Sequence, residues 1–103
     1  MPQNGKLVRD KIPEIIRGKG EEVAFRRLSP GEHIPYLRDK LVEEAQELQR
    51  ADTRREHVQE LADVKEVYDA LLKARDISPE EVARKQEEKR QKKGGLTQFY
   101  FLQ

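Results

Sequence analysis

Residues 57–72 read HVQELADVKEVYDALL, and this stretch sets both the fold class and the functional question. Advancing about 100° per residue from Leu61, the side chains of Val67, Leu71, Val64, Tyr68, Leu61 and Leu72 fall in one arc, as expected for an amphipathic helix. Glu60 falls inside the same arc, at about 260° when Leu61 is set to zero. A carboxylate turned toward a core loses hydration worth several kcal/mol unless a partner compensates it. The pattern therefore predicts a helix over about residues 55–75 and asks what compensates Glu60.

Working outward, the next signal lies upstream. Leu37, Leu41, Ala45 and Leu48 follow one another at i, i+4, i+8 and i+11, which predicts a long helix from about Ile34 or Tyr36 to Arg50. The connector ADTRRE is short, so the two helices should form an antiparallel hairpin, with Asp52 or Thr53 capping the second. A third helix is announced by ISPEEV. Ser78 stands at the N-cap, Pro79 at the first helical position and Glu81 three residues after the cap, and the helix should run through KQEEKRQKK to Gly94 and Gly95. Toward the N-terminus, Pro13 permits only a short helix within KLVRDKIPEIIRGKG, and residues 21–29 (EEVAFRRLS) read as a weak strand or extended piece. At the other end LTQFYFL suits a terminal strand. The expected fold is mainly α: a helical bundle made of an antiparallel pair plus a third helix, with short extended segments at both ends.

Composition narrows the function classes. The 103 residues are 35% hydrophobic and 40% charged, too few apolar residues for a substantial private core, so self-association is expected. The 21 basic and 20 acidic side chains nearly cancel, which gives no field that would argue for nucleic acid or an anionic membrane. Cysteine is absent, which excludes disulfides, thiolate catalysis and cysteine metal ligation, and suits a reducing compartment. No apolar run approaches the roughly 18–20 residues of a membrane span, and MPQNGKLVRD lacks the apolar stretch of a signal peptide. A soluble, cytoplasmic protein that does not enter a membrane is expected.

The acidic residues carry the chemistry. With Leu41 at zero, Glu44 lies at about −60° and Glu47 at about −120°, along one flank of the first stripe, while Glu43 at about 200° points away. On the following helix Asp63 lies one turn from Glu60, at the edge of its stripe. Two helices packed through these stripes would direct Glu44 and Glu47 toward Glu60 and Asp63. Repulsion among close carboxylates is relieved by protons or by a cation, and an all-oxygen site without cysteine suits magnesium, or manganese, rather than zinc. A solvated face paired with nearby lysine and arginine is the plain alternative for such acidic pairs. Glu60 within the stripe is what weighs against it.

LVEEAQEL followed by QELADV resembles the E-E-x-x-E … E-x-x-D signature of the MazG-like, all-α nucleoside triphosphate pyrophosphohydrolase superfamily. Glu43, Glu44 and Glu47 match its first part, Glu60 and Asp63 its second, and 12 residues separate the halves. KLVRDKIPEII and KRQKKGGL are similar to the two ends of its phosphoribosyl-ATP pyrophosphohydrolase-like branch. The resemblance covers nearly the whole chain, read as one domain over residues 1–103. It implies metal-dependent hydrolysis of a nucleotide between its α and β phosphates, in a bundle that forms a homodimer or a dimer of dimers. It implies magnesium on Glu44, Glu47, Glu60 and Asp63, with one of these carboxylates or Glu43 activating water. Leu96 stands where that branch usually has phenylalanine. A triphosphate would also need cations, for which Arg9 and Lys11 near the start and Lys89, Lys92 and Lys93 near the end are the candidates. Of these, Lys89 lies close to Val82 on the third helix and should face partly inward.

The competing class is a non-enzymatic helical module that binds nucleic acid or an acidic partner through the C-terminal helix. Residues 84–93 hold six cations against two acids, which is a modest patch. His33 and His57 are given no catalytic or metal-ligating role, and no G-x-x-x-x-G-K-[ST] loop is present.

Overall fold

The computed structural model describes residues 5–103, and they contain four α-helices: α1 (Ile12–Gly18), α2 (Pro30–Arg50), α3 (Arg54–Arg75) and α4 (Pro79–Lys93). Local chemistry fixes the helix starts. At α3 the Thr53 hydroxyl accepts from the Glu56 N–H (3.1 Å), while the Glu56 carboxylate accepts from the N–H groups of Asp52 (2.9 Å) and Thr53 (3.0 Å). At α4 the same reciprocal arrangement joins Ser78 and Glu81, both contacts at 3.1 Å. These caps satisfy amides that a helix start otherwise leaves without partners.

The start of α2 differs from the sequence expectation. Ser29, Pro30 and Glu32 repeat the cap found at α4, so the helix begins at Pro30 rather than near Ile34 or Tyr36. The Ser29 N–H donates to Glu32 (2.9 Å), and Arg26 grips the same carboxylate through both terminal nitrogens, at 3.0 and 2.9 Å. Pro35, read from sequence as punctuation, lies inside the helix. Its missing N–H forfeits only the bond to the Gly31 carbonyl, close enough to the start for the cap to hold the turn.

α2 and α3 form the extensive helix–helix interface among the described residues. The connector of Ala51, Asp52 and Thr53 is so short that the pair must run antiparallel, as expected. α3 ends with Asp76 in the left-handed conformation (φ 57°), and the Ile77 N–H returns to the Leu72 carbonyl at 2.9 Å, which turns the chain into α4.

Three further expectations require correction. The helices number four, because the segment at Pro13 forms α1 in addition to the three long helices. No strand forms among the described residues: residues 21–29 carry no regular secondary structure, and Leu96, Phe99, Tyr100, Phe101 and Leu102 are almost fully exposed. A single strand without a neighbour leaves its backbone groups unpaired, so β propensity alone cannot hold one. Finally, α4 packs little against the pair, and Lys89 is exposed rather than turned inward.

The core is correspondingly small. Val67 and Leu72 are its buried apolar residues, joined by one buried charge, Glu44. Leu61, Val58 and Val42 remain more than half exposed although they belong to apolar positions of α2 and α3. The radius of gyration is 17.4 Å, against about 13 Å for a compact chain of this length.

Candidate functional site

The α2–α3 interface brings Glu44, Glu60 and Asp63 together, with one carboxylate oxygen from each lying within 4.8 Å of the others. Glu44 comes from the inner flank of α2 and is 8% exposed; Glu60 and Asp63, one turn apart on α3, are half-buried. The helical periodicity that lines up Leu37, Leu41 and Leu48 also places Glu44 against the partner helix. Glu60 has its proton affinity raised, first by loss of hydration and then by the negative charges of Asp63, Glu44, Glu47 and Glu56. Negative charge is thus concentrated at this point of the α2–α3 interface.

Two basic side chains already lean on it. The Arg9 guanidinium, carried in from the N-terminal segment, donates to Asp63 at 2.7 Å and lies 3.8 Å from Glu66. The bond to Asp63 is the main reason that the guanidinium holds its proton more firmly than usual. Lys40, one turn before Glu44, places its ammonium 3.4 Å from Glu44 and 3.1 Å from Glu43. Sequence reasoning missed Lys40. Its signal was the run K-L-V-E-E, which sets a cation at i with acids at i+3 and i+4.

The other expected site residues lie around this centre or away from it. Glu47 is outside the group of three close oxygens; it is half exposed and accepts from Arg50 at 3.2 Å. Glu43 is engaged by Lys40. Lys11 is exposed at the N-cap of α1. Lys89, Lys92 and Lys93 are exposed on α4, where Lys85 and Arg90 pair with Glu88 and Glu87 along the same helix.

Three oxygen donors of this kind, drawn from two helices, form a hard, anionic set that could hold a metal ion. The described residues contain no helix long and apolar enough to cross a membrane.

A protein of Mycolicibacterium smegmatis (strain ATCC 700084 / mc(2)155), described as uncharacterized, is 51% identical over 49 residues, which is 48% of this chain and 50% of that protein. The similarity thus spans about half the length of that relative. No solved structure matches. The family model for phosphoribosyl-ATP pyrophosphohydrolase matches residues 7–90, a span that contains Arg9, α1, the α2–α3 pair with its three carboxylates, and most of α4. The chain belongs to the phosphoribosyl-ATP pyrophosphohydrolase family.

Proposed function

We propose that this chain is a magnesium-dependent nucleotide pyrophosphohydrolase that cleaves between the α and β phosphates, giving a nucleoside monophosphate and pyrophosphate. The observation that carries the reading is the convergence of Glu44, Glu60 and Asp63 from two helices, with Glu60 reluctant to ionise among them.

Glu44, Glu60 and Asp63 would hold the divalent ion, with Glu47 turning in from its exposed position as a fourth ligand. Such an ion, when bound, neutralises phosphate charge and makes bound water easier to deprotonate. A carboxylate of the cluster, or Glu43 beside it, takes the proton of the attacking water. The new bond forms to phosphorus, the bond to the bridging oxygen breaks, and pyrophosphate departs with the electron pair. Arg9, already at the edge of the cluster, is placed to carry negative charge that builds on the leaving group. Lys11, exposed at the N-cap of α1, would supply a further cation to the substrate phosphates. Lys89, Lys92 and Lys93 stand on a helix that leaves the pair, so they serve a site most simply in an assembly of copies. The small core, the extended shape and the exposed Leu61, Val58 and Val42 support a homodimer or a dimer of dimers. Clean-up of noncanonical nucleotides in the cytoplasm is the physiological role this reading favours.

The test is pyrophosphate release from a panel of nucleotides with and without magnesium. The reading expects metal-dependent release that Glu44→Ala and Glu60→Ala abolish while the far-ultraviolet circular dichroism is kept. The exposed, basic α4 supports a second reading, a binding module for nucleic acid or an acidic partner. Steeply salt-dependent binding with no turnover on any nucleotide would favour that one.

A further inference from the structure

The within-helix ion pairs among the described residues divide into two kinds. Lys65–Asp69, Lys85–Glu88, Arg90–Glu87 and Arg50–Glu47 are within-helix pairs whose side chains are 46–72% exposed. Surface pairs of this kind contribute little to stability. Lys40 is different. Its side chain is 17% exposed, and its ammonium contacts Glu43 at 3.1 Å and Glu44 at 3.4 Å, the latter side chain being 10% exposed. Withdrawing a lysine from water loses hydration and the freedom of a long side chain. Lysine placed before glutamate at i, i+4 is also the weaker order on a helix. Local helix stability therefore does not account for Lys40 being held inward. The place where its charge matters is the group of Glu44, Glu60 and Asp63, whose oxygens lie within 4.8 Å of one another.

We infer that Lys40 is the resident counter-cation of the acidic centre: it positions Glu43 and Glu44 and offsets their repulsion whenever no divalent ion is bound. Arg9 does the corresponding work for Asp63 from outside, but at 56% exposure it is free to leave, whereas Lys40 is fixed within α2. The inference rests on the metal-binding reading above. A single positive charge cannot satisfy three carboxylates, so the centre keeps its capacity for a divalent ion. The ammonium weakens that ion's binding in exchange for an ordered metal-free site. Lys40 and a divalent ion thus act on Glu44 in the same sense, and each makes the other less necessary.

The test compares wild type, Lys40→Met and Lys40→Arg by manganese titration, followed by electron paramagnetic resonance of the free ion, and by thermal melting with and without magnesium. Lys40→Met should melt below wild type without metal and recover most of that deficit with magnesium. It should also bind manganese at least about tenfold more tightly, because one unit of like charge is removed from beside the divalent ion. Lys40→Arg should behave as wild type. A merely structural lysine predicts a melting deficit that magnesium leaves in place and a manganese affinity that is unchanged or weaker; either result overturns the inference while leaving the metal site standing. Wild type that takes up no manganese, alone or with nucleotide, would remove the metal site and this role for Lys40 together.

Discussion

Replacing a buried residue of a small helical protein usually destabilises it, yet Glu44→Gln should raise stability when metal is absent. Glu44 is 8% exposed, with the oxygens of two other carboxylates within 4.8 Å and the Lys40 ammonium at 3.4 Å. At an effective dielectric of about 20, a like-charge pair at the longer distance costs about 3.5 kcal/mol and the opposite pair at the shorter one returns about 5 kcal/mol. Two repulsions against one attraction leave a net repulsion of about 2 kcal/mol on the Glu44 side chain, and Arg9 on Asp63, together with solvent at Glu60 and Asp63, reduces this to about 1 kcal/mol. Glutamine keeps the shape and removes the charge, while Lys40 keeps Glu43 as its partner. The melting temperature of the metal-free variant should rise by about 4–8 °C. Magnesium reverses the order: at about a hundred times its dissociation constant it adds about 2.7 kcal/mol to a protein that binds it, and the variant has lost a ligand. Melting curves at one protein concentration, followed by circular dichroism with chelator and then with excess magnesium, should therefore cross over. A variant less stable than wild type in chelator would refute the electrostatic reasoning, and an equal gain with magnesium would refute the role of Glu44 as ligand.

Other expectations test the scaffold and the assembly. Glu32, held by Arg26 and the Ser29 backbone amide, has its carboxyl lowered from 4.5 to about 2. A lowered carboxyl contributes stability that is complete above pH 4.5 and is lost as pH falls through about 2, so the protection of the first amides of α2, taken relative to the intrinsic exchange rate at each pH, should fall across that window. Glu32→Gln should abolish this pH dependence; exchange that stays sensitive in the variant would point to another group. Thr53→Ala removes the hydroxyl that caps α3 and should lower stability by about 1 kcal/mol, read as a fall of about 4–8 °C in the melting temperature. Leu61→Asp alters a side chain that is 52% exposed in the single chain, so a monomer should tolerate it. In an assembly of copies the apparent mass by light scattering should instead drop toward that of one chain, and an unchanged mass would place the interface elsewhere.

Much of this architecture was legible because it is written in local chemistry. The spacing of Leu37, Leu41 and Leu48 gave the α2 stripe, and the Thr53 and Ser78 caps gave the starts of α3 and α4 within a residue. Glu60 was conspicuous because a carboxylate broke an apolar arc, and its meeting with Glu44 and Asp63 followed from folding two stripes together. The start of α2 was misread because Pro30 and Pro35 look like breaks until Ser29 and Glu32 are seen as a cap. Lys89 and the C-terminal aromatic residues were misplaced for another reason. Whether a helix face or a would-be strand is covered depends on what packs against it, and no spacing within LTQFYFL reveals a neighbour. Lys40 was overlooked because a lysine beside two glutamates is ordinary on a surface; its burial against Glu44 is a tertiary fact.

Glu44, Glu60 and Asp63 are proposed to hold one divalent ion between α2 and α3. Crystals grown or soaked with manganese test it most directly, through the anomalous scattering of the ion. One strong peak should lie within coordination distance of all three carboxylates and be absent from crystals of Glu44→Gln. Density confined to other acidic surfaces, or none at this position with nucleotide also present, would contradict it.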